Sequence, residues 1–359
     1  MLTLFGEELP EPGKMRPDWR ADTEWLPLGE ELPQWLDGVL DRTNGLPGGL
    51  RDTQVDVLDT VLTIEHRTAD DFNFRGDAKR YRERAQADSA DFSDTMRDAV
   101  AEYTDQLGLV HPVDPRHRRY DMTLVLGGGY RSPLLRARFA RLLESQGVDL
   151  GELYFLGSPR FLIAEPPEAL DVADYAPTAR DEFDLLVAAA HSEFELDAAS
   201  PEFLCGCRTA DTRCPQWLRS HQDAATETPS EYTHERRIQL SDSTDRARGW
   251  VLSACTGRPP YRPDTSDTFG LWARTASPTT RQRVLIVTTQ VFVPFQTFDG
   301  IKRLYLQHGV DVEAVGFGAE WGDRPLTAEY LLQETLSAIR SARRLVVDAV
   351  DILRHSSAA

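Results

Sequence analysis

The stretch MTLVLGGGYR, Met122 to Arg131, decides the fold of this chain. Met122 to Leu126 has the length and apolar continuity of a buried strand, and Leu134 to Gln146 repeats apolar residues at helical spacing. Between them Gly127, Gly128 and Gly129 let backbone come close to a ligand, with Gly128 expected at a positive φ that a β-branched residue would resist. A strand that breaks into glycines and then a helix is how an α/β protein opens a ligand site at a helix N-terminus. GGGYR is not the GxGxxG dinucleotide fingerprint, so the loop indicates a site and leaves the ligand open.

Working outward, strand-like runs recur at Glu152 to Leu156, Arg248 to Ser253, Val284 to Thr288 and Val312 to Gly316. Helical patterns fall between and after them, at Arg180 to Phe194, Thr268 to Ala276, Phe298 to His308 and Thr327 to Arg344. The alternation predicts an α/β fold, a Rossmann-like parallel sheet with helices on both faces, over residues 116–350. An insertion at about 197–240 interrupts it, rich in Cys, Pro, Ser and Thr and poor in periodicity. Residues 1–115 form a separate N-terminal part. An arm carrying Trp19, Trp25 and Trp35 leads into helical patterns at Arg51 to Ile64 and Lys79 to Leu107, the latter with Phe92, Met96, Val100, Tyr103 and Leu107 on one face.

At 359 residues and 41% apolar the chain can bury one large core or two smaller ones. No apolar run reaches the roughly 18 to 20 residues that cross a bilayer, and the N-terminus lacks a signal-peptide pattern, so a cytoplasmic protein without membrane insertion is expected. A net charge of -18 repels phosphate backbones and argues against a nucleic-acid partner. Lys14, Lys79 and Lys302 are the only lysines, so positive charge is almost all guanidinium, suited to forked binding of carboxylates and phosphates. Genome composition explains the same bias.

In an open parallel sheet, ligands sit beyond the carboxyl ends of the strands. Four loops fall there: Gly127, Gly128, Gly129, Tyr130 and Arg131; Gly157, Ser158 and Arg160; RPDTSDT, Arg262 to Thr268; and Thr288, Thr289 and Gln290. They supply backbone donors, guanidinium charge at Arg131 and Arg160, and short polar side chains at Thr265, Thr268, Thr288 and Thr289. Thr265 and Asp267 also suit a plain helix N-cap. Glu182, in RDEFDLL, begins the helix expected to face the site and, with Asp267, is a candidate catalytic carboxylate. The acids there also suit a solvated helix start.

These loops, in this order, resemble the bacterial YdcF/SanA/ElyC-like family, a domain of unknown function. LVLGGG matches its first glycine-rich turn and LGSPR its second, more loosely. PDTSDTF matches its third segment through Thr265, with Asp267 where the family prefers glutamate, and VTTQVFVPFQ matches its fourth through Val287, Thr288 and Pro294. The resemblance covers about Asp121 to Phe317 and implies a Rossmann-like domain linked to envelope biogenesis and to nucleotide or S-adenosylmethionine-type ligands, with no settled reaction. The family's histidine falls on Phe292 and its arginine on Phe295. Arg131, Arg160 and Arg303 are the substitutes for the lost charge, and Gln296 offers hydrogen bonds without charge.

The expected function is binding of a nucleotide-like or phosphorylated small molecule at the sheet's carboxyl edge, as an enzyme of unsettled reaction. The alternatives are a non-catalytic binding or regulatory module, or an interaction protein built on the Trp-bearing arm. Cys205, Cys207, Cys214 and His221 would close around a structural zinc, although C-x-C-x6-C-x6-H is not a common finger spacing and cysteines without a metal role fit as well. Cys255 has no histidine near it in sequence to activate it as a nucleophile. No G-x-S-x-G elbow, Walker loop, H-E-x-x-H or kinase set is present.

Overall fold

The computed structural model describes residues 61–74 in part, 90, 92–162, 168–205, 234–255, 263–322 and 325–356, the last seven by backbone alone. The Trp-bearing arm, most of Arg51 to Ile64, and Cys207, Cys214, His221 and Arg262 lie outside the described residues. Two compact units emerge. One comprises Val113–Thr289 and Arg303–Asp323, the other Met1–Pro112, Gln290–Lys302 and Arg324–Ala359.

The first unit is a mixed α/β domain. Its strands are β1 (Met122–Leu126), β2 (Glu152–Gly157), β3 (Asp197–Ala198), β4 (Glu202–Phe203), β5 (Arg236–Ser241), β6 (Ala247–Ser253), β7 (Arg283–Thr289) and β8 (Asp311–Phe317). They form one eight-stranded sheet in the order β3-β5-β6-β2-β1-β7-β8, with β4 also paired to β5. The five strands β6, β2, β1, β7 and β8 are parallel to one another, and β1 lies at their centre. Taken in chain order these five read 3-2-1-4-5, so the order reverses between β1 and β7, where a Rossmann-like sheet has its ligand crevice.

The part expected to be an insertion of little periodicity partly extends this sheet. β5 runs antiparallel to β6, and β3 and β4 run antiparallel to β5. Burial alternates along β5, with Arg236, Ile238 and Leu240 inward, so one face is packed and the other open. The sequence hides this strand because its first inward residue is an arginine.

The helices that flank this sheet include α1 (Ser132–Ser145), a short α2 (Glu168–Asp171), α3 (Glu182–Phe194) and α4 (Thr265–Ala276). α1 and α3 cover one face, where Leu135, Phe139 and Leu143 meet Phe183, Leu186 and Ala190 over Val125, Phe155, Val251, Val287 and Val315. α4 covers the other, with Trp272 edge-on to Tyr154. Each large apolar side chain buried in this way contributes about 1.5–3 kcal/mol. Both β1 and β2 are buried on both faces over nearly their whole length, which is why their sequence reads as near-continuous hydrophobic runs rather than alternation.

The second unit is helical and discontinuous. The C-terminal helix, expected to close the α/β domain, belongs here as α6 (Ala328–Ser356), together with α5 (Val293–Gly300) and a further helix at Asp94–Gln106. Glu329 of α6 accepts from the Ala90 N–H at 2.9 Å and pairs with Arg97 at 3.3 Å. Gln290 donates from Nε2 to the Gly108 carbonyl at 2.7 Å, and Phe292 packs edge-on to Tyr330. Among the described residues, no helix is long and apolar enough to cross a membrane.

Candidate functional site

At the carboxyl end of β1 the glycine loop is enclosed by charged side chains of the same unit. Gly127 donates its N–H to the Leu156 carbonyl at 2.6 Å, extending the β1–β2 pairing by one residue. A Cβ at Gly127 would overlap Glu182 Oε1 and the Leu156 carbonyl, and one at Gly157 would lie 2.5 Å from Leu186 Cδ1. A Cβ at Gly129 would overlap Glu168 Oε1 and Arg160 Nη2. The glycines are thus needed for close approach, and the groups that approach are carboxylates and a guanidinium.

Glu182 is the first residue of α3, placed at the sheet edge because Asp181 caps that helix by accepting from the Asp184 N–H at 3.0 Å. Its Oε2 accepts from the Ser158 N–H at 3.1 Å and from the Ser158 hydroxyl at 2.5 Å. Both side chains are buried. A carboxylate this close to a hydroxyl can hold it in one orientation and take its proton.

Glu168, fully buried, accepts a forked pair from Arg160, with Nη1 to Oε2 at 3.0 Å and Nη2 to Oε1 at 3.1 Å. The same Oε1 accepts from the Tyr130 N–H at 3.1 Å. Tyr130 is at φ 54, the positive φ expected at Gly128, where no such angle occurs. For a bulky residue that conformation costs on the order of 1 kcal/mol and turns its N–H toward the carboxylate. Tyr175 braces the loop by donating its hydroxyl to the Tyr130 carbonyl at 3.4 Å.

Arg136 occupies the point where strand order reverses. It rises from α1, is 5% exposed, and donates from Nη1 to the Leu126 carbonyl at 3.1 Å and to the Gly127 carbonyl. Its Nη2 donates to the Thr289 hydroxyl at 3.3 Å, tying the ends of β1 and β7 together. Sequence reading passed over it, although 3.6-residue periodicity places Arg136 on the buried stripe of α1 with Ser132 and Ala140, which is the signal that finds it.

Beside this cluster, Asp181 and Arg236 form a buried ion pair, with Arg236 stacked on the Phe183 ring at 4.2 Å. Burial pushes the Asp181 carboxyl up to about 6 against the lowering effect of Arg236. Further along the insertion side, Cys205 Sγ lies 3.4 Å from His234 Nδ1, so its described partner is His234. Among the described residues no group of three or more His, Cys, Asp or Glu could hold a metal ion.

The structure therefore brings together Gly127, Gly129, Tyr130, Gly157, Ser158, Arg160, Glu182 and Thr289, and adds Arg136 and Glu168. Gly128 lies in the same loop. Other expected residues are engaged elsewhere. Arg131 turns outward to Asp174 at 2.7 Å, which lowers the Asp174 carboxyl. Asp264 and Asp267 form a capping box at the start of α4, whose first residue is Thr265: Asp264 accepts from the Ser266 N–H at 2.8 Å, and Asp267 accepts from the Asp264 N–H at 2.9 Å. Thr268 donates to the Thr265 carbonyl at 3.0 Å. Thr288, fully buried, faces away from the α1 and α3 side because alternate residues along β7 point to opposite faces. Gln290 and Gln296 belong to the helical unit, and Arg303 opens the second stretch of the α/β unit, Arg303–Asp323.

By fold and by the position of this cluster the chain is a Rossmann-like α/β protein. It is similar to proteins described only as uncharacterized from Mycobacterium bovis and from two strains of Mycobacterium tuberculosis, at 33% identity over 256 residues. The match covers 70% of this chain and 66% of each relative, just under two thirds of their length. No family model matches the chain. No solved structure matches it.

Proposed function

We propose that the α/β unit binds a nucleotide-like or phosphorylated small molecule, S-adenosylmethionine-type ligands included, at the carboxyl end of β1 and β2, and acts on it as a cytoplasmic enzyme. The observation that carries this reading is the Ser158 hydroxyl held 2.5 Å from the buried Glu182 carboxylate, directly beside a glycine loop at the carboxyl edge of the sheet. Glu182 is the proton acceptor and Ser158 the group it orients or activates. The glycine loop admits the ligand's polar end to backbone N–H groups. The order of loops, which resembles that of the YdcF/SanA/ElyC-like proteins, supports this reading. A non-catalytic binding module is the second reading, favoured by Phe292, which stands at the family's histidine position and packs on Tyr330.

Calorimetric titration of wild-type protein with ATP, GTP, S-adenosylmethionine and a sugar phosphate tests the reading. One of the four binds, and Ser158→Ala and Glu182→Gln abolish turnover of that ligand while leaving its affinity within about threefold, less than 1 kcal/mol. Binding without any turnover selects the second reading. Absence of binding by all four refutes both.

A further inference from the structure

Glu168 is an unusual residue to find under a glycine loop. A fully buried carboxylate is normally excluded unless paired, and this one is paired by the two kinds of group that recognise a phosphate: a guanidinium fork and a backbone N–H at the entry to a helix. Three features of the loop serve that carboxylate. Gly129 lacks the Cβ that would displace it. Tyr130 holds a positive φ and gives its N–H to the carboxylate, while the Ser132 N–H closes the turn on the Gly129 carbonyl at 3.2 Å. The helix that follows, α1, has no side-chain N-cap hydrogen bond of its own, and Glu168 meets the chain just before it, at the Tyr130 N–H. Arg160 is held nearby by donating from Nη1 to the Phe161 carbonyl at 3.1 Å, and Ser158 Oγ accepts its N–H at 3.3 Å, which links this subsite to the Ser158–Glu182 pair.

We infer that Tyr130 N–H and the Arg160 fork are an oxyanion subsite for a phosphoryl group, filled in this structure by the chain's own Glu168, which the ligand's phosphate displaces. The inference rests on the reading of the cleft as a phosphorylated-ligand site and fixes where the phosphate goes. In the exchange one anion with two acceptor oxygens is replaced by another with three, and the Arg160 charge remains compensated throughout. The carboxylate keeps the guanidinium neutralised when no ligand is present, and it competes with the ligand when one is.

The probes are inorganic pyrophosphate and inorganic phosphate, titrated against the full chain by calorimetry. Glu168→Gln keeps the side-chain volume and an oxygen for Tyr130 but removes the charge from Arg160, so pyrophosphate affinity rises at least tenfold over wild type. Arg160→Gln lowers it at least tenfold in either background. If Glu168→Gln does not fold, Glu168→Asp, one methylene too short to reach Tyr130 and the Arg160 fork together, gives the same direction of change. In wild type labelled with ¹⁵N, pyrophosphate moves the Tyr130 amide resonance and leaves the Arg131 side chain unmoved. Equal pyrophosphate affinity in wild type and both Glu168 variants, or loss of binding in a folded Glu168→Gln protein, overturns the inference. A nucleotide that binds wild type with an affinity indifferent to Glu168 and Arg160 leaves the proposed function standing and removes only this subsite. Pyrophosphate binding governed by Glu168 without binding of any of the four larger ligands does the reverse.

Discussion

Arg136→Leu should be among the most destabilising single substitutions in the α/β unit. The guanidinium is buried and donates to the carbonyls of Leu126 and Gly127 and to the Thr289 hydroxyl. Leucine fills much of the volume but donates nothing, and an orphaned buried acceptor costs about 1–3 kcal/mol. Two carbonyls give about 2–6 kcal/mol. Relief of the desolvation cost of a buried cation offsets part of this, leaving about 3 kcal/mol. For a domain of about 150–250 residues each kcal/mol lowers the midpoint by about 2–4 °C, so thermal unfolding should shift down by about 6–12 °C. Arg138→Leu, two residues along the same helix, is the control. Its partner Glu193 is met at the surface, with the arginine side chain half exposed, and such a pair is worth about 0–1 kcal/mol. Circular dichroism melts of wild type and both variants, with urea titrations for the free energies, make the comparison. If Arg136→Leu loses no more stability than Arg138→Leu, the guanidinium does not tie β1 to β7 and the account of the switch point is wrong.

Three further outcomes follow from the geometry. Gly157→Ala places a methyl 2.5 Å from Leu186 Cδ1 and should destabilise by about 1–3 kcal/mol through overpacking; an unchanged urea midpoint would contradict the packing of α3 on β2. Tyr130→Gly relieves a positive φ whereas Tyr130→Val aggravates it, so the valine variant should unfold at least about 1 kcal/mol more readily than the glycine variant, and equal midpoints would refute the strain. The Asp181 carboxyl titrates at about 6 in the folded state against 3.8 for the ordinary group, so the folded protein holds that proton more tightly than the unfolded one. Its contribution is fully present below about pH 3.8 and is lost as pH rises through about 6. Measured by urea unfolding from pH 4 to 7, wild type should therefore lose ground relative to Asp181→Asn as pH rises, and a gain instead would mean that Arg236 outweighs burial.

The parallel core was legible because its physics is local. A strand buried on both faces must be apolar throughout, so Met122 to Leu126 announced β1 with its ends in place, and the flanking glycines followed from the need for close approach at the strand end. Glu182 and Ser158 were legible for the same reason, since an acid opening a helix and a small residue closing a strand are both positioned by their own elements. What the sequence could not determine is everything that depends on pairing across space. β5 carries Arg236 at an inward position, which reads as polar until Asp181 and the Phe183 ring are seen to receive it. Thr265 and Asp267 have the residue types of a ligand loop and of a capping box alike, and only the hydrogen bond from Asp264 N–H to Asp267 separates the two. Arg136 and Glu168 are charged residues in ordinary helical contexts, and their meaning lies in partners that are distant in sequence, Thr289 for Arg136 and Tyr130 for Glu168. A hydrophobic pattern records which side of an element is buried, but the partner that neutralises a buried charge is set by the tertiary fold.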